Sequence, residues 1–275
     1  MLTITSTQFK QPFLVSNMDY FLSKNEFWNG ENNTDIVAFE QFKTTHSQHC
    51  FLEIFPDGTS AVCFEITPEN EISACFFGRM TETKITFYEN GNTYFAVKIP
   101  AHFLFKQING RPNTFVDRVS RLATYTDAFN QFDWPYFAVA SFEQRITYFQ
   151  AYVSEHFIYH ENDLINYVLA NQQNNEKSPT IKQLSKELGV SDRYIRSIFH
   201  RLIGISPKKM TQEIRLQFAL SQLMDETNSI TDMLQQTNFY DHPHLNKFFS
   251  SFTAYSPKAL KRQASLAKQV TSSHK

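Results

Sequence analysis

Two groups of residues have the types and spacing to do chemistry. The first is a pair of donor-rich stretches, Arg193, Tyr194, Arg196 and Ser197 in one, and His242, Asn246 and Lys247 in the other. A guanidinium offers a fork of donors that suits guanine, a carboxamide suits adenine, and an ammonium suits guanine more loosely. Arg193 and Arg196 stand three apart, and His242 and Asn246 four apart, so each set shares a face if its segment is helical. Lys182, Arg201, Lys208, Lys209 and Lys258 flank these stretches and are of the type that meets phosphate without reading sequence. The second group is His46, His49 and Cys50, which would converge on a metal if they lay on one helix. No carboxylate at a helpful spacing joins them, and a polar loop between strands is the plainer reading. With no glycine-rich phosphate loop, nucleophile elbow or HExxH sequence in the chain, neither an enzyme nor a cofactor is expected.

Charge places the first group in a distinct part of the chain. The 26 basic and 27 acidic residues nearly cancel, but residues 176–275 carry 15 basic and 8 acidic, a net of +7, whereas residues 1–175 carry 11 and 19, a net of −8. A basic last third behind an acidic front points to a polyanionic partner for that third alone. Of the 28 phenylalanines, 22 lie before position 176, so the front part has an aromatic core of its own and two domains are expected, residues 1–158 and 160–268. Cys50, Cys63 and Cys75 form no CxxC pair and read as reduced thiols. No apolar run approaches membrane-spanning length and no leader-like segment opens the chain, so a cytoplasmic protein without a membrane partner is expected.

The basic third contains an internal repeat. Residues 180–207 and 229–257 align at an offset of 49 residues at their start and 50 at their end, the extra residue falling at a turn. Each copy opens on a capping box, Thr180 with Gln183 and Ser229 with Asp232. A short helix should then end at Gly189 or Asn238, the residue types that best tolerate a left-handed turn. A second helix follows, capped by Ser191 or Asp241, with Pro243 harmless in its first turn. Ile195, Ile198, Phe199 and Leu202, and in the other copy Leu245, Phe248, Phe249 and Phe252, form the inner face, leaving the donors outside. Ser206-Pro207 and Ser256-Pro257 each start one more helix, and the one running from Pro207 to about Asp225 is apolar enough to pack against both copies. Such a spacer would set two recognition helices about 34 Å apart, one turn of B-form DNA.

The region from about Asp163 to Arg262 resembles the DNA-binding domain of the AraC/XylS family of bacterial transcription regulators. The similarity is strongest over Phe239-Tyr-Asp-His-Pro-His-Leu-Asn-Lys-Phe-Phe249 with Ser256-Pro257 downstream. This chain departs from the family pattern at Asn238 for the usual glycine, at Lys247 for a frequent arginine, and at Ser197, where the first unit often has arginine. The resemblance implies sequence-specific binding of double-stranded promoter DNA, RNA polymerase as a partner, and activation more commonly than repression. Phe55-Pro-Asp-Gly58, Gly78 and the stretch from Phe95 to Pro112 are similar to an N-terminal domain of some family members that has no well-defined common ligand.

The expected fold is α+β, a mainly β N-terminal sensor-like domain followed by an all-α domain of about seven helices with two helix-turn-helix units. Short apolar runs at 51–55, 61–66, 74–77, 84–88 and 94–99, broken by turn residues, predict strands, with the first two joined as a hairpin through Pro56-Asp57-Gly58. Phe142, Ile146, Phe149, Val153 and Phe157 predict an amphipathic helix over 141–157 that packs within the chain or builds a homodimer. The phenylalanines would form core or line a pocket for an unidentified small-molecule effector, and Arg79, Arg111, Arg118 and Arg121 are candidates to meet an anionic one. Alternatives are a front domain that only binds a protein partner and, remotely, a metal-dependent enzyme at His46, His49 and Cys50.

Overall fold

The protein is α+β, with a β-rich N-terminal part and a helical C-terminal part, in a computed structural model that describes residues 20–27, 36–43, 50–100, 103–154, 156–159, 162–173, 179–225, 227–237 and 239–262. The N-terminal part contains β1 (Tyr20–Phe27), β2 (Ile36–Lys43), β3 (Cys50–Ile54), β4 (Ser60–Ile66), β5 (Ile72–Phe77), β6 (Lys84–Tyr88), β7 (Thr93–Ile99), β8 (Phe103–Phe105), a 3₁₀ turn (Pro112–Thr114), β9 (Val119–Arg121) and β10 (Phe157–Tyr159). Its helices are α1 (Leu122–Tyr125), α2 (Trp134–Val139) and α3 (Phe142–Ser154). The main sheet is antiparallel, in the order β1-β2-β7-β4-β5-β9, with β3–β6 and β8–β10 as separate pairs.

Both faces of the main sheet are covered. Phe39, Val62, Phe64, Phe76, Phe95 and Val97 point to one face and pack with Phe129, Phe137, Ile146, Phe149 and Val153 from the helices and the loops between them. The alternate residues Phe42, Cys63, Tyr94 and Ala96 point to the other face and meet Leu52 and Tyr88 of the β3–β6 pair. This alternation is the period-two pattern of a strand, and burial on both sides explains why β7 reads as an almost unbroken apolar run.

Three expectations are corrected. The residues at 51–55 and 61–66 do not form a hairpin: β3 pairs with β6, while β4 pairs with β5 and β7. Pro56-Asp57-Gly58 does turn the chain, with Gly58 at φ +76°, but it carries the chain from one sheet to the other. The helix at 141–157 stops at Ser154, because Phe157–Tyr159 is drawn off to pair with Phe105–Phe103. Its apolar face, Ile146, Phe149 and Val153, is spent within the chain's own core. Arg79 is not on the surface; it is 3% exposed and donates to the Gly58 and Ile203 backbone carbonyls. Arg111, Arg118 and Arg121 are exposed. Beyond these, β1, β2, β8, β9 and β10 had no counterpart in the sequence reading.

The C-terminal part holds α4 (Asp163–Gln173), α5 (Ile181–Glu187), α6 (Asp192–Leu202), α7 (Pro207–Met224), α8 (Ile230–Gln236), α9 (His242–Ser250) and α10 (257–262), which makes seven helices among the described residues. One core joins Ile165, Val168, Leu184, Ile195, Ile198 and Phe199 with Met210 at the start of α7. A second joins Leu216, Ala219, Leu220 and Leu223 of the same helix with Met233, Leu245 and Phe249. The spacer thus contributes its first half to one unit and its second half to the other.

Candidate nucleic-acid interface

Local signals build each helix-turn-helix. The Gln183 amide donates to Thr180 Oγ1 at 3.3 Å and the Thr180 amide to Gln183 Oε1 at 2.8 Å, closing the first capping box. In the second, the Asp232 amide donates to Ser229 Oγ at 3.1 Å and the Ser229 amide to Asp232 Oδ2 at 2.8 Å. Each box satisfies two amides that a helix start leaves without a partner. The Asp232 carboxyl is held below its ordinary range chiefly by the Ser229 hydroxyl. Gly189 turns the chain at φ +65°, a conformation that an L side chain adopts only at a cost. Asn238, assigned the same task in the second unit, lies outside the described residues.

The second helix of each unit is set by its own cap. Ser191 Oγ accepts from the Tyr194 amide at 3.2 Å, and Asp241 Oδ1 from the His244 amide at 2.7 Å. In α6 the buried side is Ile195, Ile198 and Phe199, which leaves Arg193, Tyr194, Arg196, Ser197 and Arg201 exposed. In α9 Leu245 and Phe249 are buried, and His242, Asn246 and Lys247 are exposed. Lys182, Lys208 and Lys258 are exposed beside these helices. Lys209 differs: it is half-buried, with its ammonium 4.5 Å from the centre of the Phe252 ring.

Two exposed residues beside the recognition faces escaped the sequence reading. His200 is exposed at i+4 from Arg196, and Tyr240, in the turn ahead of α9, is 94% exposed. A large aromatic standing wholly in solvent beside a recognition helix is a signal that only the fold supplies. Arg215 of the spacer also acts on this unit. Its guanidinium lies 3.9 Å from the Phe239 ring centre and 5.3 Å from that of Phe248, holding the turn from behind.

The supposed metal group falls largely outside the described residues. His46 and His49 lie outside the described residues, and Cys50 begins a strand rather than a helix. Among the described residues no three His, Cys, Asp or Glu side chains gather as a metal site, and no helix is long and apolar enough to cross a membrane.

The paired units on a shared spacer have a counterpart among known families. Residues 184–263 match the family described as a helix-turn-helix domain. These residues form a helix-turn-helix domain. YidL, an HTH-type transcriptional regulator of Escherichia coli (strain K12), is 30% identical over 81 residues, which are 30% of this chain and 27% of YidL. Among solved structures, ToxT from Vibrio cholerae is 10% identical, with a TM-score of 0.44 over 87% of this chain and 97% of ToxT. A probable AraC family transcriptional regulator from Rhodopseudomonas palustris is 22% identical, with a TM-score of 0.30 over 38% of this chain and 98% of its own. The helix-turn-helix match lies within the basic third of the chain.

Proposed function

We propose that the protein is a sequence-specific regulator of transcription that binds double-stranded promoter DNA through both units and is controlled through its N-terminal domain. The observation that carries this reading is the pair of exposed polar recognition faces, Arg193-Arg196-Ser197 and His242-Asn246-Lys247, mounted on one spacer helix. In such units the recognition helix reads base edges while flanking basic residues and helix starts hold phosphates. Arg193 and Arg196 suit guanine, Asn246 suits adenine and Lys247 guanine, with His242 and Tyr194 as lesser contacts. Lys182, Arg201, Lys208, Lys209 and Lys258 add salt-dependent affinity. Activation through RNA polymerase is the favoured outcome.

Control by the N-terminal domain is supported by how it touches both units. Arg79 Nη1 donates to the Ile203 carbonyl at the end of α6 at 2.5 Å, and Gly204 packs against Pro112 and Asn113. On the second unit, Phe55 is part of the core around Leu216 and Leu220, and the Thr83 amide donates to the Phe252 carbonyl at 3.3 Å. A cavity of about 60 Å³ lies behind the Phe55 turn, lined by Phe42, Phe77, Met80, Glu40 and Lys98; it is well below the roughly 300–1,000 Å³ of a small-molecule site. The test is in-vitro transcription from a bound promoter, with binding measured at several salt concentrations. A specific site with a steep salt slope and a changed transcript level supports the reading; uniform binding to all duplexes removes it.

A further inference from the structure

The joint between the N-terminal domain and the spacer helix contains a charge imbalance. Glu213, midway along α7, is 0% exposed, and neither of its carboxyl oxygens has a hydrogen-bond partner. On one side of it lies the α6 contact, where Arg79 bonds the Ile203 carbonyl and, through Nε, the Gly58 carbonyl at 3.1 Å. On the other lies Gln217, whose amide donates to the Pro56 carbonyl at 2.7 Å. Facing Glu213 are Arg79 and Asp57 from the N-terminal domain, Asp117 from the loop before β9, and Lys209 one turn back on its own helix. Asp57 is in turn paired with Lys98 at 3.1 Å, and Lys98 with Glu40 at 3.5 Å.

The inner set therefore holds two cations, Arg79 and Lys98, against three carboxyls, Glu40, Asp57 and Glu213, while Lys209 and Asp117 offset each other. Burying an uncompensated charge opposes docking, so the set is balanced only when one carboxyl carries a proton. Glu40 keeps Lys98 against one oxygen, although its other oxygen has no partner and burial pushes its carboxyl up, and Asp57 has both Lys98 and the Thr59 hydroxyl, whose bond to it is 2.6 Å long. Glu213 has no such bond.

We propose that Glu213 is a proton-operated latch: protonated, it keeps the N-terminal domain docked and both helix-turn-helix units clamped, and ionised, it loosens the clamp. This rests on the reading that the N-terminal domain controls the DNA-binding one. Burial pushes the Glu213 carboxyl up to about 8, against the opposing pull of Arg79 and Lys209. Undocked, it returns towards the ordinary 4.5. Docking is thus strongest below 4.5, falls roughly tenfold per pH unit as pH rises, and levels off above about 8.

The Thr83 amide reports docking directly, because its acceptor is the Phe252 carbonyl on the other side of the joint. Amide exchange of the full chain, corrected for intrinsic rates, is followed between about pH 6 and 9. In the wild type Thr83 protection falls about tenfold per unit and flattens above about 8. Glu213→Gln keeps it high and flat. Asp57→Asn removes one negative charge from the set, so its protection levels off at lower pH. A flat wild-type profile overturns the latch, as does a Glu213→Gln profile that still follows the wild type. These profiles are read without DNA, so loss of the latch leaves sequence-specific binding standing, and failure to bind DNA leaves the profile standing.

Discussion

Phe55→Ala separates the two domains' claims on one side chain. Phe55 is 1% exposed and packs into the core of the second unit, although it belongs to the turn leaving β3. Fully burying a phenylalanine side chain is worth about 1.5–3 kcal/mol. The ring also walls the cavity of its own domain, so the share lost on undocking lies in the lower half, about 1.5–2 kcal/mol. That corresponds to a docking equilibrium weakened about 10- to 30-fold. Thr83 exchange measures it, with the amides of β4, in the middle of the main sheet, as the internal control for the domain itself. Protection at Thr83 should drop while β4 stays protected. Equal loss at both positions, or none at Thr83, would refute the assignment of Phe55 to the joint.

Two further substitutions probe the clamp and the second recognition helix. Gly204 sits at φ +90°, and a Cβ there would stand 3.0–3.1 Å from the Pro112 and Asn113 backbone. Gly204→Ala should therefore weaken docking by about 1–3 kcal/mol, seen as faster amide exchange over residues 111–116. Arg215→Ala removes the cation behind Phe239 and Phe248; it should cost about 1–2 kcal/mol of binding to the half-site read by α9. Competition between duplexes altered in one half at a time reads this, and an equal loss on both halves would contradict it.

Much of the C-terminal domain was legible because its signals are local. Capping boxes, Ser-Pro helix starts and Gly189 act within a few residues of themselves, and a period of three to four in the apolar residues marked which face stays outside. Strands 3 to 7 were legible through the turns between them. Their pairing was not, since Pro56-Asp57-Gly58 announces a turn without saying that β3 will pair with β6. The joint was the least legible feature. Glu213 and Gln217 look like solvated helix residues and Arg79 like a surface charge; only the docking of a distant domain buries them. The same is true of Tyr240, whose exposure depends on how α9 is mounted.

The central claim, two units each reading its own half of a site, is tested most directly by selecting bound sequences from a random duplex pool with the full chain, Arg196→Ala and Lys247→Ala. The account predicts a two-part motif with halves about one helical turn apart, Arg196→Ala relaxing one half and Lys247→Ala the other. A single undivided motif, or a motif that both substitutions leave intact, would contradict it.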